Sequence, residues 1–271
     1  MMKKLVFLMT VLLLAGSVFG QASIPYSTSF EALEGFTAGQ SINGVDGWAV
    51  ISEGDPDALI SDAAAQSGSQ SVALEANSTI DKPLTSTASA IWMEGYFRGE
   101  GTTAEPSFPA APLASAIVFF SQSNGIQCLN GDGTGGVVSW ENTSVASLNP
   151  AEWYKITIRQ DYTAKTWRCW INNSATPDMD LGFRDSIDSL NGFRNYADTA
   201  SWLDTFRVIP AIGGDANADG IADVSDVITL VNDPDGAGLG VIGFNNADMD
   251  GNDTVDSTDL ADIVDKILAR S

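Results

Sequence analysis

Two stretches near the C-terminus set oxygen-bearing residues at the same alternating spacing. In residues 214–226 (GDANADGIADVSD), Asp215, Asn217, Asp219, Ile221, Asp223 and Asp226 fall at positions 1, 3, 5, 7, 9 and 12 of a loop, with Gly220 at position 6. Residues 248–259 (DMDGNDTVDSTD) repeat the pattern 33 residues later with Asp248, Asp250, Asn252, Thr254, Asp256 and Asp259. Calcium is a hard cation that gathers about six to eight oxygens, and this spacing turns alternate side chains inward around one ion. Ile221 and Thr254 would each give a backbone carbonyl, and Asp226 and Asp259 would close the two sites. In the second copy Asp253 replaces the turn glycine, which strains a backbone that favours left-handed torsions there.

The elements that must hold these loops are legible in the residues C-terminal to each one. Val227, Leu230 and Val231, and then Leu260, Ile263, Val264, Ile267 and Leu268, recur at helical spacing. Each loop is therefore expected to open a short amphipathic helix, the two packing as an antiparallel pair with an ion at the head of each. Nine aspartates crowded into two loops repel one another without cations, so ion binding and folding of this tail are expected to be coupled.

From about residue 214 to 268 the chain resembles a dockerin: paired loop–helix units, Asp rather than Glu at position 12, and the run VDSTDLADIV. The resemblance implies two calcium ions and a cohesin module on a scaffold protein as partner, usually in polysaccharide catabolism. It assigns partner choice to positions 10 and 11, here Val224 and Ser225 in the first loop and Ser257 and Thr258 in the second. The connecting stretch NDPDGAGLGVIGFNN, with Pro234 and its glycines, departs from the helical linker of many members.

Composition removes several chemistries. The 271 residues contain no histidine, which excludes a Ser-His-Asp triad, a histidine general base and a His-ligated zinc or haem. With 35 acidic against 13 basic residues the net charge is −22, so nucleic acid is not an expected partner. Lys3 and Lys4, an apolar run from Leu5 to Ala15 and small residues up to Ala22 read as a secretory signal peptide. Ser17 in LAGS stands where a lipoprotein box has its acylated cysteine. The mature chain is therefore expected to be secreted, with no membrane attachment. Cys128 and Cys169 can form one bridge or remain two buried thiols.

The chain divides into three segments: the leader (1–22), a larger part (23–212) and the acidic tail (213–271), with a boundary near VIPAIGGDA. The larger part alternates short strand-like runs (AIWMEGYFRG, SAIVFFSQ, EWYKITIRQD, TWRCWINN, WLDTFRVI) with Ser, Gly, Asn, Asp and Pro, which predicts a mainly β, antiparallel sandwich. Its opening SFEALEGFTAGQ, its WYKITIRQDYTAKTWRCWINN hairpin and its closing WLDTFRVIP resemble concanavalin A-like, laminin-G-like jelly rolls. That resemblance implies pairing of the first and last strands, with residues 28–31 beside 205–208, and a domain that binds carbohydrate or packs structurally.

Without histidine, the remaining hydrolytic chemistry is a pair of carboxylates acting on a glycosidic bond. Glu94 is the best isolated candidate, with Arg98 four residues on. Asp178, Asp180, Asp185 and Asp188 read as solvated loop acids. Trp140, Trp167 and Trp170 are candidates for stacking on sugar rings. Two functions stay open. One is a calcium-dependent docking protein whose sandwich binds carbohydrate or is structural; the other is a dockerin-bearing glycoside hydrolase or lyase.

Overall fold

A computed structural model of the protein describes residues 22–51, 57–103, 113–175 and 180–270. The expected leader, apart from Ala22, and Asp178 lie outside the described residues.

The alternating runs form an antiparallel sheet of nine strands. Its main path runs Ser174–Ala175, Thr166–Ile171, Tyr154–Asp161, Ala90–Gly99, Ser201–Pro210, Ser71–Leu74 and Ala58–Ser61, with Leu181–Gly182 and Tyr26–Thr28 pairing off it. The first and last strands do pair, with Thr28 opposite Phe206 and Tyr26 opposite Val208, two residues earlier on the first strand than the resemblance implied. Two three-stranded sheets cover the inner face: Val118–Ser121, Gly125–Gly131 and Val138–Asn142 form one, and Ala49–Val50, Ser78–Lys82 and Phe193–Ala197 the other. Between the layers lie Phe30, Phe36, Trp48, Ile60, Ile80, Ile156 and Phe206. The result is a jelly-roll-type β-sandwich.

Period-two alternation decides what each face of the large sheet carries. In Ala90–Gly99, Ile91 and Met93 enter the core, while Trp92, Glu94, Tyr96 and Arg98 take the opposite face. A bulge between Asp204 and Arg207, with Thr205 at φ 43°, lets both of these side chains stay on that outer face while Leu203 and Phe206 turn inward.

The tail holds three short helices: α1 (Val224–Asn232), α2 (Gly240–Ala247) and α3 (Ser257–Leu268). Leu230, Val255 and Ile263 form their common core with Ala216 and Ala247. Val231 and Leu268, expected to share that core, are instead exposed, because the short helices leave room for only part of each stripe. The glycine-rich connection is non-helical over residues 233–239 and helical in its second half. Its α2 is stabilised by tertiary burial of Val241 and Ile242 against Trp92, Trp170 and Ile209, contacts that outweigh poor intrinsic propensity. Gly243 permits this close approach: a Cβ there would stand 2.3 Å from the Ala216 carbonyl. Among the described residues no helix is long and apolar enough to cross a membrane.

Cys128 and Cys169 are both buried free thiols, one on each sheet of the sandwich. They are hydrogen-bonded to each other, which together with burial pushes the Cys169 thiol well above its ordinary range.

Candidate functional site

The two acidic loops share a set of carboxylate-to-amide bonds. In the first, Asp215 accepts from the backbone N–H of Asp219 through Oδ1 and of Gly220 through Oδ2, each at 3.0 Å. In the second, Asp248 accepts from Asn252 through Oδ1 at 3.1 Å and from Asp253 through Oδ2 at 2.9 Å. Position 3 repeats as well: Asn217 Oδ1 takes the Asp219 N–H at 3.0 Å, and Asp250 Oδ1 takes the Asn252 N–H at 3.1 Å. At position 5, Asp219 and Asn252 bond the N–H of Ile221 and Thr254, each at 2.9 Å.

Each loop then runs into its helix through a capping box. Asp223 caps α1 by accepting from Ser225 N, and Asp226 returns Oδ2 to the Asp223 N–H at 2.7 Å. Asp256 caps α3 by accepting from Thr258 N, and Asp259 returns Oδ2 to the Asp256 N–H at 2.9 Å. The left-handed positions also coincide, at loop positions 4 and 6. They are Ala218 (φ 58°) and Gly220 (φ 89°) in the first copy, and Gly251 (φ 73°) and Asp253 (φ 61°) in the second. Each copy thus places its glycine at a different member of the same pair.

The donor set suits a hard divalent cation, since every candidate ligand atom is an oxygen. Carboxylate oxygens of Asp248, Asp250 and Asp259 lie within 4.8 Å of one another. Asp215, Asp226 and Asp259 are fully buried, and none of the ion pairs found among the described residues reaches either loop. Burial, aided by the Asp226 charge, pushes Asp215 up to about 6, and burial raises Asp226 too. Carboxylates enclosed together without a counter-charge are the arrangement that a bound cation relieves. The candidate partner residues Val224, Ser225, Ser257 and Thr258 are all exposed, at the starts of α1 and α3. Val224 continues into Ile228 and Val231, an apolar stripe on the outside of α1.

In the sandwich, the candidate carboxylate Glu94 is held by partners on neighbouring strands. Glu94 is buried, and both of its oxygens are engaged. Oε2 accepts from Thr157 Oγ1 at 2.7 Å and from Lys155 Nζ at 2.9 Å, while Oε1 accepts from Arg207 at 3.1 Å. It is an ion-pair hub on the outer face with no second carboxylate among these partners. Arg98 is not its partner, because residues four apart on a strand stand about 13 Å apart whereas cross-strand neighbours stand about 5 Å apart. Arg98 instead lies over the Trp202 ring at 5.0 Å and donates to the Pro150 carbonyl. Of the loop acids, Asp185 is buried and paired with Arg184 at 2.7 Å, whereas Asp180 and Asp188 stay exposed while pairing with Arg168 and Lys165.

Two of the three tryptophans are also relocated. Trp167 is enclosed, its indole N–H shared between the carbonyls of Leu129 and Gly182. Trp170 packs against Trp92 at 5.3 Å with the rings tilted by 49°, under the tail, so it offers no open platform and only part of it borders a cleft between sandwich and tail. Both positions were needed for packing, which sequence alone does not separate from stacking on a ligand. Trp140 keeps partial exposure on the edge strand Val138–Asn142, resting on Phe119. The sequence reading missed Lys155 and Arg207 as partners of Glu94. Alternation turns all three outward, each on its own strand, and the register of those strands joins them.

No protein-family description matches the sequence, and no curated protein matches it. Among solved structures, the chain is similar to domain 4 of AbnA, an extracellular arabinanase of Geobacillus stearothermophilus solved with arabinotriose. The identity is 12%, with 59% of this chain and 81% of that one covered and a TM-score of 0.41. It is also similar to an endo-β-1,4-glucuronan lyase from the fungus Trichoderma reesei (14%, 64% and 95%, TM-score 0.45). A third similar structure is the CBM22-1 xylan-binding domain of Paenibacillus barcinonensis Xyn10C (15%, 70% and 96%, TM-score 0.30).

Proposed function

We propose that the tail is a dockerin-like plug that binds two calcium ions and docks the exported protein to a cohesin module, with the sandwich serving a polysaccharide-related role. The observation that carries this reading is the correspondence of the two loops, position by position, in backbone torsions, carboxylate-to-amide bonds and helix caps. A chance run of acidic turns has no reason to repeat that pattern. Asp215, Asn217, Asp219, Asp223 and Asp226 with the Ile221 carbonyl would hold one ion. Asp248, Asp250, Asn252, Asp256 and Asp259 with the Thr254 carbonyl would hold the other. The ions supply the positive charge that joins each loop to the head of its helix.

The docking face is the part of the tail left uncovered. Val224, Ile228 and Val231 line the outer side of α1, with Ser225 beside them and Ser257 and Thr258 at the matching start of α3. An exposed aliphatic stripe with a polar neighbour has the apolar-centre, polar-rim layout of a protein-binding patch. The test is capture of the full chain by immobilised cohesins, in millimolar calcium and then in chelator. Calcium-dependent capture is expected. Capture that persists in chelator, or the absence of metal in native mass spectrometry at millimolar supply, overturns the reading.

A further inference from the structure

We infer that the cleft between the sandwich and the second acidic loop binds a neutral oligosaccharide, with Asp253 as its principal hydrogen-bond acceptor. The cleft has a volume of about 660 Å³, and both parts of the chain build it. This size falls in the range of small-ligand sites, which concentrate where domains meet. On the sandwich side stand Arg168, Trp170 and Asn173; on the tail side stand Asn245 and Asp253, with the glycine-rich backbone leading into α2 between them.

The chemistry of this rim selects the ligand class. Asp253 bears a carboxylate with no partner among the described residues, because only its backbone N–H is engaged, by Asp248. Asn245 donates its amide to the Val241 carbonyl at 2.8 Å, leaving Oδ1 as an acceptor. Asn173 receives Lys155 on Oδ1 at 3.2 Å, leaving its NH₂ as a donor. Arg168 is already paired with Asp180, so the cleft holds no uncompensated cation for an anionic ligand. The lining thus offers both hydrogen-bond donors and acceptors. Sugar hydroxyls, which both donate and accept, fit that mixture, whereas a uronate would meet the bare carboxylate of Asp253.

Asp253 itself gives the second argument. It sits at loop position 6 in a left-handed conformation that glycine adopts freely and aspartate does not. In the first loop the same position is Gly220, packed so that a Cβ would stand 3.3 Å from Pro25 and 3.5 Å from Pro210. In the second loop that position opens on the cleft. Position 6 supplies no ligand in a calcium loop, so the carboxylate there is free to serve the cleft.

The inference rests on the calcium and polysaccharide reading, and the experiment keeps the two apart. The full-length protein in calcium is titrated calorimetrically with neutral xylo-, arabino-, cello- and manno-oligosaccharides, and with tetragalacturonate as an anionic control. Metal stoichiometry is measured on the same samples by native mass spectrometry. At least one neutral ligand is expected to bind, with affinity reduced at least tenfold in both Asp253→Gly and Asn245→Ala. Asp253→Gly restores the first loop's residue and is expected to retain two calcium ions. Failure of every neutral ligand, affinity unchanged in the two variants, or preference for tetragalacturonate overturns the inference while a stoichiometry of two leaves the calcium reading intact. Ligand binding that requires Asp253 in a chain holding no calcium has the converse meaning: the cleft stands and the calcium reading falls.

Discussion

The indole N–H of Trp92 donates to Asn246 Oδ1 at 2.9 Å, joining the outer face of the large sheet to α2 across 154 residues of chain. Around this bond Trp170, Ile209, Ala218, Val241 and Ile242 exclude water. Ala218 belongs to the first acidic loop, so the loop proposed to hold an ion is also part of the contact with the sandwich. Folding of the tail and its seating on the sheet are therefore linked through shared residues.

Asn246→Leu removes the acceptor and leaves a buried indole N–H unpaired, a change that costs about 1–3 kcal/mol. In calorimetry the transition that includes the tail is expected to fall by several degrees, by about 2–4 °C for each kcal/mol in a chain of this size. X-ray scattering should show a larger radius of gyration as the tail leaves the sheet. A variant melting like the parent and scattering identically would mean the bond contributes nothing to seating.

The sequence revealed those features that local spacing encodes. Loop positions 215–226 and 248–259 were legible because ligand spacing is a short-range property, and the strands were legible because alternation is one too. What escaped was decided by contacts distant in sequence. The α2 helix forms at a glycine-rich stretch because Trp92 and Trp170 cover it. Glu94 looked isolated because Lys155 and Arg207 reach it only through strand register. Trp167 and Trp170 could not be sorted into core or platform until the hairpin was seated on its neighbours.

Glu94→Gln tests the ion-pair hub. It leaves Lys155 and Arg207 side by side without their shared counter-charge, and a loss of about 1–3 kcal/mol is expected from removing a charged, hydrogen-bonded partner. Chemical denaturation should register this as a lower midpoint with an unchanged slope, and added salt should recover part of the loss by screening the two cations. Reducing-sugar release from a polysaccharide panel is the accompanying readout. Activity present in the parent and abolished in a stably folded Glu94→Gln protein would assign the residue to catalysis instead.

The buried thiols make a reactivity prediction. Cys128 and Cys169 sit in the core against each other, and the Cys169 proton is held by the Cys128 contact and by burial. Thiolate is the reactive form, so neither residue in the reduced folded protein is expected to react with an aromatic disulfide reagent at pH 8. Both should react once denaturant opens the core. Rapid labelling in the native state would contradict this packing.

Ile228→Lys separates docking from stability. Ile228 is exposed on the outer stripe of α1 with Val224 and Val231, so the substitution is expected to shift stability by no more than about 0.5 kcal/mol. Cohesin capture in calcium should fall at least tenfold, because a charge then enters the apolar centre of the proposed patch. Unaltered capture would move the docking surface elsewhere on the tail.

Asp226→Ala and Asp259→Ala address the ions directly. Each carboxylate does two things at once: it ties the N-cap N–H of its own helix to an N–H at the start of the loop, and it would close the site proposed to hold a cation. Removing one is expected to lower the calcium stoichiometry from two to one and to unravel the first turn of α1 or α3. The double variant should lose both ions. Far-UV circular dichroism supplies the complementary measurement, since helix signal from the parent tail should drop on chelation and return with calcium while the sheet signal holds. The two readouts constrain each other: helix lost without loss of ions would make these aspartates caps alone, and ions lost without loss of helix would make the tail a preformed scaffold. Only their joint loss fits a tail whose folding is driven by the charge it binds.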